Sequence, residues 1–95
     1  MALLNDAEIE QRLAGLPGWE RSGDAISRAF GCGDFVGSVK FVESLVEPAE
    51  EMGHHPDLAI SWDTVTVTIS THSEGGLTAA DFGLAAKVDE LSPTS

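Results

Sequence analysis

At 95 residues the chain is sized for one domain spanning residues 1–95, and so small a fold buries a modest share of its surface, so self-association is expected. A formal net charge of −11, with five scattered cations (Arg12, Arg21, Arg28, Lys40, Lys87), argues against direct nucleic-acid binding and is consistent with high solubility. The lone Cys32 excludes an internal disulfide or a cysteine-built zinc site, no apolar run is long enough for a bilayer, and the start carries no basic signal-peptide region, so the expectation is a cytoplasmic protein.

In chain order, Asn5 followed three residues later by Glu8 predicts a capped helix, with Leu4 and Ile9 as its staple and Ile9 and Leu13 as its core stripe, ended by Gly15 and Pro17. Residues 19–22 and 25–30 predict a hairpin turning at Gly23-Asp24. Asp34 predicts the cap of a long helix to about Met52. Two stripes on it, Phe35-Val39-Val42-Val46-Ala49 and Phe41-Leu45-Pro48-Met52, give an apolar arc wider than a simple surface helix needs, so a second covering surface is expected. Pro48 predicts a kink or an early end.

After Pro56 the period changes to two. Leu58 and Ile60 lead to Trp62 and a tight turn near Asp63. Over residues 64–72, Val65, Val67 and Ile69 take one face, and Thr66, Thr68, Ser70 and His72 the other. Thr78 predicts the cap of a last helix with Leu84, Val88 and Leu91 as its stripe, and residues 92–95 read as a frayed tail. Hairpin-linked strands with one apolar face each imply an α+β fold: an antiparallel sheet covered by helices on one side.

The three histidines are the residues best suited to proton transfer near neutral pH, since the unperturbed imidazole pKa is ~6.5. His72 follows the polar alternation and also reads as a surface residue. His54 and His55 leave the long helix together, and both reach one ligand only if the backbone turns there. Glu50, four residues before His54, reads either as an orienting carboxylate or as one more solvated glutamate. Asp81 fits a capping box with Thr78 as well as a site role. No spacing suited to a metal and no phosphate-binding glycine loop is present.

The stretch Glu50-Glu51-Met52-Gly53-His54-His55-Pro56 resembles the signature of the pterin-4a-carbinolamine dehydratases: an acidic residue, three spacers, then His-His-Pro. Trp62, His72 and Asp81 follow at that family's intervals, and Gly18-Trp19 and the helix start at Phe35 are similar too. Phe82 departs from the tryptophan common after that aspartate, and Pro48 stands in a helix the family often uses between subunits. The resemblance implies a four-stranded antiparallel sheet with three helices on one face, and a homodimer or homotetramer. It also implies dehydration of 4a-hydroxytetrahydropterin to quinonoid dihydropterin, a hydro-lyase step in tetrahydropterin recycling that needs no metal or other cofactor. His54, His55 and His72 would be catalytic, and Glu50, Trp62 and Asp81 would bind the pterin. The alternative within the same fold is a non-enzymatic protein-binding cofactor or Rubisco assembly chaperone. The intact histidine motif favours the enzyme.

Overall fold

The computed structural model describes residues 3–93. Helix α1 (Asp6–Ala14) starts at the expected box: Asn5 Oδ1 accepts the Glu8 N–H at 2.8 Å and the Glu8 carboxylate accepts the Asn5 N–H at 3.0 Å. The strands β1 (Glu20–Ser22) and β2 (Ala25–Gly31) form the first hairpin, with Ser22 facing Ala25 across the Gly23-Asp24 turn. Strands β3 (Asp57–Ser61) and β4 (Thr64–Ile69) form the second, with Ser61 facing Thr64. The four strands are antiparallel in the order β1-β2-β4-β3, so β4 lies inside and β3 at an edge.

The β4 alternation decides which face is the core. Val65, Val67 and Ile69 are completely buried and face Phe30, Arg28 and Ile26 of β2. Phe41, Leu45, Leu84, Ala85 and Val88 cover them from the helices. Each such apolar side chain contributes about 1.5–3 kcal/mol on burial. Arg28 puts a charge on this face between β1 and β4. Its guanidinium lies over the Phe30 ring at 4.7 Å and donates to Asp89 Oδ1 at 2.9 Å, an oxygen that also accepts the Trp19 indole N–H at 2.9 Å.

The long helix expected from Asp34 to Met52 is two helices, α2 (Phe35–Ser44) and α3 (Val46–Met52), meeting at Leu45. Asp34 caps α2, accepting the Gly37 N–H at 2.7 Å. Proline has no N–H to give the Ser44 carbonyl, and its ring would collide with it. The chain therefore restarts its helix so that Pro48 falls in the first turn of α3, where a missing donor costs little. Phe41, Leu45, Pro48 and Ala49 face inward, whereas Phe35, Val36, Val46 and Met52 stay 41–60% exposed. Met52, expected on one stripe with Phe41, Leu45 and Pro48, is exposed where those three are buried. The wide apolar arc remains half uncovered.

Helix α4 (Ala79–Leu91) begins after Thr78 as expected and buries Leu84 and Val88, but Leu91 is 40% exposed. Ser92, placed by the sequence in a frayed tail, is buried and its hydroxyl donates to the Asp89 carbonyl at 3.0 Å; Thr94 and Ser95 lie outside the described residues. Among the described residues, no helix is long and apolar enough to cross a membrane.

Candidate active site

The turn demanded at His54-His55 is made by Gly53. It takes the left-handed conformation at φ 61°, with its N–H on the Glu50 carbonyl (3.2 Å) and the His54 N–H on the Ala49 carbonyl (3.1 Å). This pair of bonds is a Schellman cap, which glycine permits without a Cβ penalty. It sends the two imidazoles in different directions.

His54 turns inward. Its side chain is 14% exposed and its Nε2 lies 2.6 Å from Oδ1 of Asp81, which is fully buried. The other Asp81 oxygen accepts the Thr71 hydroxyl and the Thr78 N–H, both at 2.8 Å. Because Thr71 spends its proton on Asp81, the Thr78 hydroxyl 2.9 Å away must donate to Thr71. Asp81 therefore serves two purposes. Oδ2 closes the capping box of α4, whose N-terminal dipole also favours the negative charge. Oδ1 holds His54. A carboxylate can only accept, so Nε2 carries a proton and Nδ1 is the nitrogen left to exchange one.

His55 turns outward and pairs with Glu50, both more than 60% exposed. Glu50 thus partners His55, not His54, because the αL turn after Met52 carries the first imidazole away from the α3 surface. Asp81, which the resemblance grouped with the substrate-binding residues, is buried and spends its carboxylate on His54, Thr71 and Thr78 inside the protein. His72, expected at the end of a strand, lies in a 3₁₀ turn (His72–Glu74) after β4 ends at Ile69. It is 80% exposed, with Nε2 3.2 Å from the Ser70 hydroxyl and 3.8 Å from Asp57 Oδ2.

Two openings flank these groups. One of about 170 Å³ is lined by His54 with Gly53, Thr71, Ser73, Glu74 and Ala80. The other, of about 180 Å³, is lined by Glu50, His55 and Pro56 together with Val42, Val46 and Leu58. Trp62 is joined to neither. It sits seven residues beyond His55, at the far end of β3 and on the order of 20 Å away at strand rise. It is 70% exposed at φ 51°. Among the described residues, no group of three or more His, Cys, Asp or Glu is arranged to hold a metal ion.

Three site residues were missed in the sequence. Gly53 carried a signal, since a glycine just past a helix is the usual left-handed cap. Thr71 carried another: in period two it falls on the apolar face with Ile69, and a hydroxyl there needs a buried acceptor. Asp57 carried none.

The model of the family described as Pterin 4 alpha carbinolamine dehydratase matches residues 2–91. Curated relatives provisionally named pterin-4-alpha-carbinolamine dehydratase include one from Thermosynechococcus vestitus, 51% identical over 93% of both chains. Another, from Roseiflexus castenholzii, is 51% identical over 95% of this chain and 97% of its own. A solved structure described as a transcriptional coactivator/pterin dehydratase from Brucella melitensis superposes with a TM-score of 0.91 at 32% identity, covering 96% of this chain and 99% of that one. A pterin dehydratase-like RuBisCO assembly factor of the alpha-carboxysome shares the fold at a TM-score of 0.64 and 24% identity, covering 81% of this chain and 89% of its own.

Proposed function

This chain belongs to the pterin-4-alpha-carbinolamine dehydratase family, and from that premise we propose that it removes water from 4a-hydroxytetrahydropterin to give quinonoid dihydropterin. In that reaction the C4a–O bond breaks as the N5 lone pair forms the N5=C4a double bond. The leaving hydroxyl takes a proton and departs as water, and a base takes the proton from N5. One acid and one base suffice, and such catalysis contributes roughly 10²- to 10⁴-fold.

The observation that carries this reading is the buried Asp81 carboxylate beneath His54. Capping α4 needs only Oδ2. Oδ1 is spent on one imidazole, which it orients with the proton on Nε2. His54 delivers its Nδ1 proton to the leaving hydroxyl. His72, beside Ser70 and Asp57, is the complementary acid/base group. His55, held by Glu50, binds the pterin. Stopped-flow dehydration with His54→Ala and His72→Ala tests the assignment: both are expected to slow the reaction, and wild-type rates in both would refute it.

A further inference from the structure

We propose that Thr71 is a positioning residue, which fixes His72 relative to His54 by tying the His72 turn to the carboxylate that already holds His54. The inference rests on the dehydration reading, in which the two imidazoles work as one acid–base pair. The turn hangs on the backbone of Thr71. The Thr71 carbonyl accepts the Glu74 and Gly75 N–H groups, both at 3.0 Å, and the Gly76 N–H at 3.4 Å. The Thr71 N–H donates to the Gly76 carbonyl at 3.1 Å. Gly75, left-handed at φ 73°, lets the chain double back to close these bonds. Residues 72–76 therefore take their orientation from Thr71.

The His72 side of the turn depends on that residue. The ladder between β2 and β4 stops at the Ile26–Ile69 pair, before the turn begins. The His72 side chain meets Ser70 and Asp57 in solvent, where such contacts hold little. The far end is fastened separately, by the Leu4 N–H on the Leu77 carbonyl at 2.9 Å. At the near end the tie is the Thr71 hydroxyl. Thr71 is 8% exposed, and its hydroxyl donates to Asp81 Oδ2 at 2.8 Å while accepting from the Thr78 hydroxyl at 2.9 Å. A buried bond to an ionised oxygen is among the stronger kinds.

The other Asp81 oxygen lies 2.6 Å from His54 Nε2. One carboxylate, locked in the cap of α4, is thus the common reference for both imidazoles: directly for His54, and through the Thr71 hydroxyl and one peptide link for His72. An acid and a base that share one substrate must be held close to the reacting geometry, since a misplacement of about 1 Å can cost roughly 10²-fold. Packing does not call for the hydroxyl. A valine side chain would fill the same space and continue the apolar alternation of Val65, Val67 and Ile69. What threonine adds is the pair of bonds to Asp81 and Thr78.

Stopped-flow dehydration by Thr71→Val, Thr71→Ser and Thr71→Cys, each checked for folding by circular dichroism, tests this. The first removes the donor, the second keeps it, and the third leaves a weak thiol donor. Thr71→Val should lower kcat roughly 10- to 100-fold at nearly constant KM. Thr71→Ser should keep most of the rate, and Thr71→Cys should fall between the two. Added to His72→Ala, Thr71→Val should cost little more, because nothing is left for it to position. Without substrate, ¹⁵N order parameters of residues 72–75 should fall in Thr71→Val, while His54 keeps its Nε2–H form because Oδ1 is untouched. A wild-type kcat or unchanged order parameters in Thr71→Val would overturn the proposal, as would a loss equally large with and without His72. Should Thr71→Val not fold, equal rates in Thr71→Ser and Thr71→Cys would overturn it. Wild-type rates in both His54→Ala and His72→Ala sink the dehydration reading and this inference together; slow rates there beside a full rate in Thr71→Val sink this inference alone.

Discussion

Replacing Asp81 by asparagine changes one atom and almost no volume, so it isolates what the carboxylate does. Thr71 and Thr78 both donate to Oδ2, and an amide has one oxygen. That oxygen must stay on their side, which turns the NH₂ toward His54 Nε2. Nε2 then has to accept, so the ring can no longer hold a proton on both nitrogens, and giving up the one left on Nδ1 would leave an imidazolate instead of a neutral ring. We expect a loss in dehydration rate of roughly 10²- to 10⁴-fold, the usual size of a general acid–base contribution. The two surviving bonds lose charge assistance, about 1 kcal/mol each. Of a total of about 5–15 kcal/mol, some 2 kcal/mol is lost and the variant stays folded. Its Tm falls by about 8–16 °C at roughly 4–8 °C per kcal/mol. Stopped-flow rates and long-range ¹H–¹⁵N spectra of the imidazoles check both halves. A variant that keeps the wild-type rate and the Nε2–H tautomer would refute the reasoning.

Glu50→Gln probes the other pair. Glu50 and His55 are mostly exposed, so denaturant titration should show a stability change within about 1 kcal/mol, and stopped-flow traces a much smaller rate loss than Asp81→Asn gives. Gly53→Ala puts a Cβ at φ 61° where nothing obstructs it. Its cost is backbone strain of about 1–2 kcal/mol, seen as a lower Tm together with slower turnover, because the Schellman turn aims His54. Ser38→Ala removes the bond to the Trp62 carbonyl and should cost about 1 kcal/mol in a urea titration.

Local signals with short reach were legible in the sequence: the Asn5 and Asp34 caps, the Gly23-Asp24 turn, and the alternation that buries Val65, Val67 and Ile69. Pro48 announced a break, but its position followed from where a proline fits in a helix, one turn earlier at Leu45. His72 looked like a strand residue because the period-two pattern runs on through it, whereas the ladder to β2 ends at the Ile26–Ile69 pair and the chain turns into a 3₁₀ helix at His72. The pairings inside the site ran opposite to chain proximity. Glu50, one turn from His54, took His55; Asp81, 27 residues away, took His54. Spacing reports which residues share a face of an element, not which way a left-handed turn throws them. The Trp62 interval matched the family pattern without bringing the indole near its own chain's histidines.

The restart of the helix at Leu45 has a consequence for local opening. Helix α3 has seven residues, no side-chain N-cap bond and a proline in its first turn. A helix so short has almost no stability of its own. It is fastened from outside, by the burial of Pro48 and Ala49 and by the tie from His54 to Asp81. Backbone amides of residues 49–54 should therefore exchange with solvent deuterium through a sub-global opening rather than with global unfolding. Protection there should fall in Asp81→Asn more than in β4. The carboxylate that holds one imidazole tautomer would then also latch the segment that carries it.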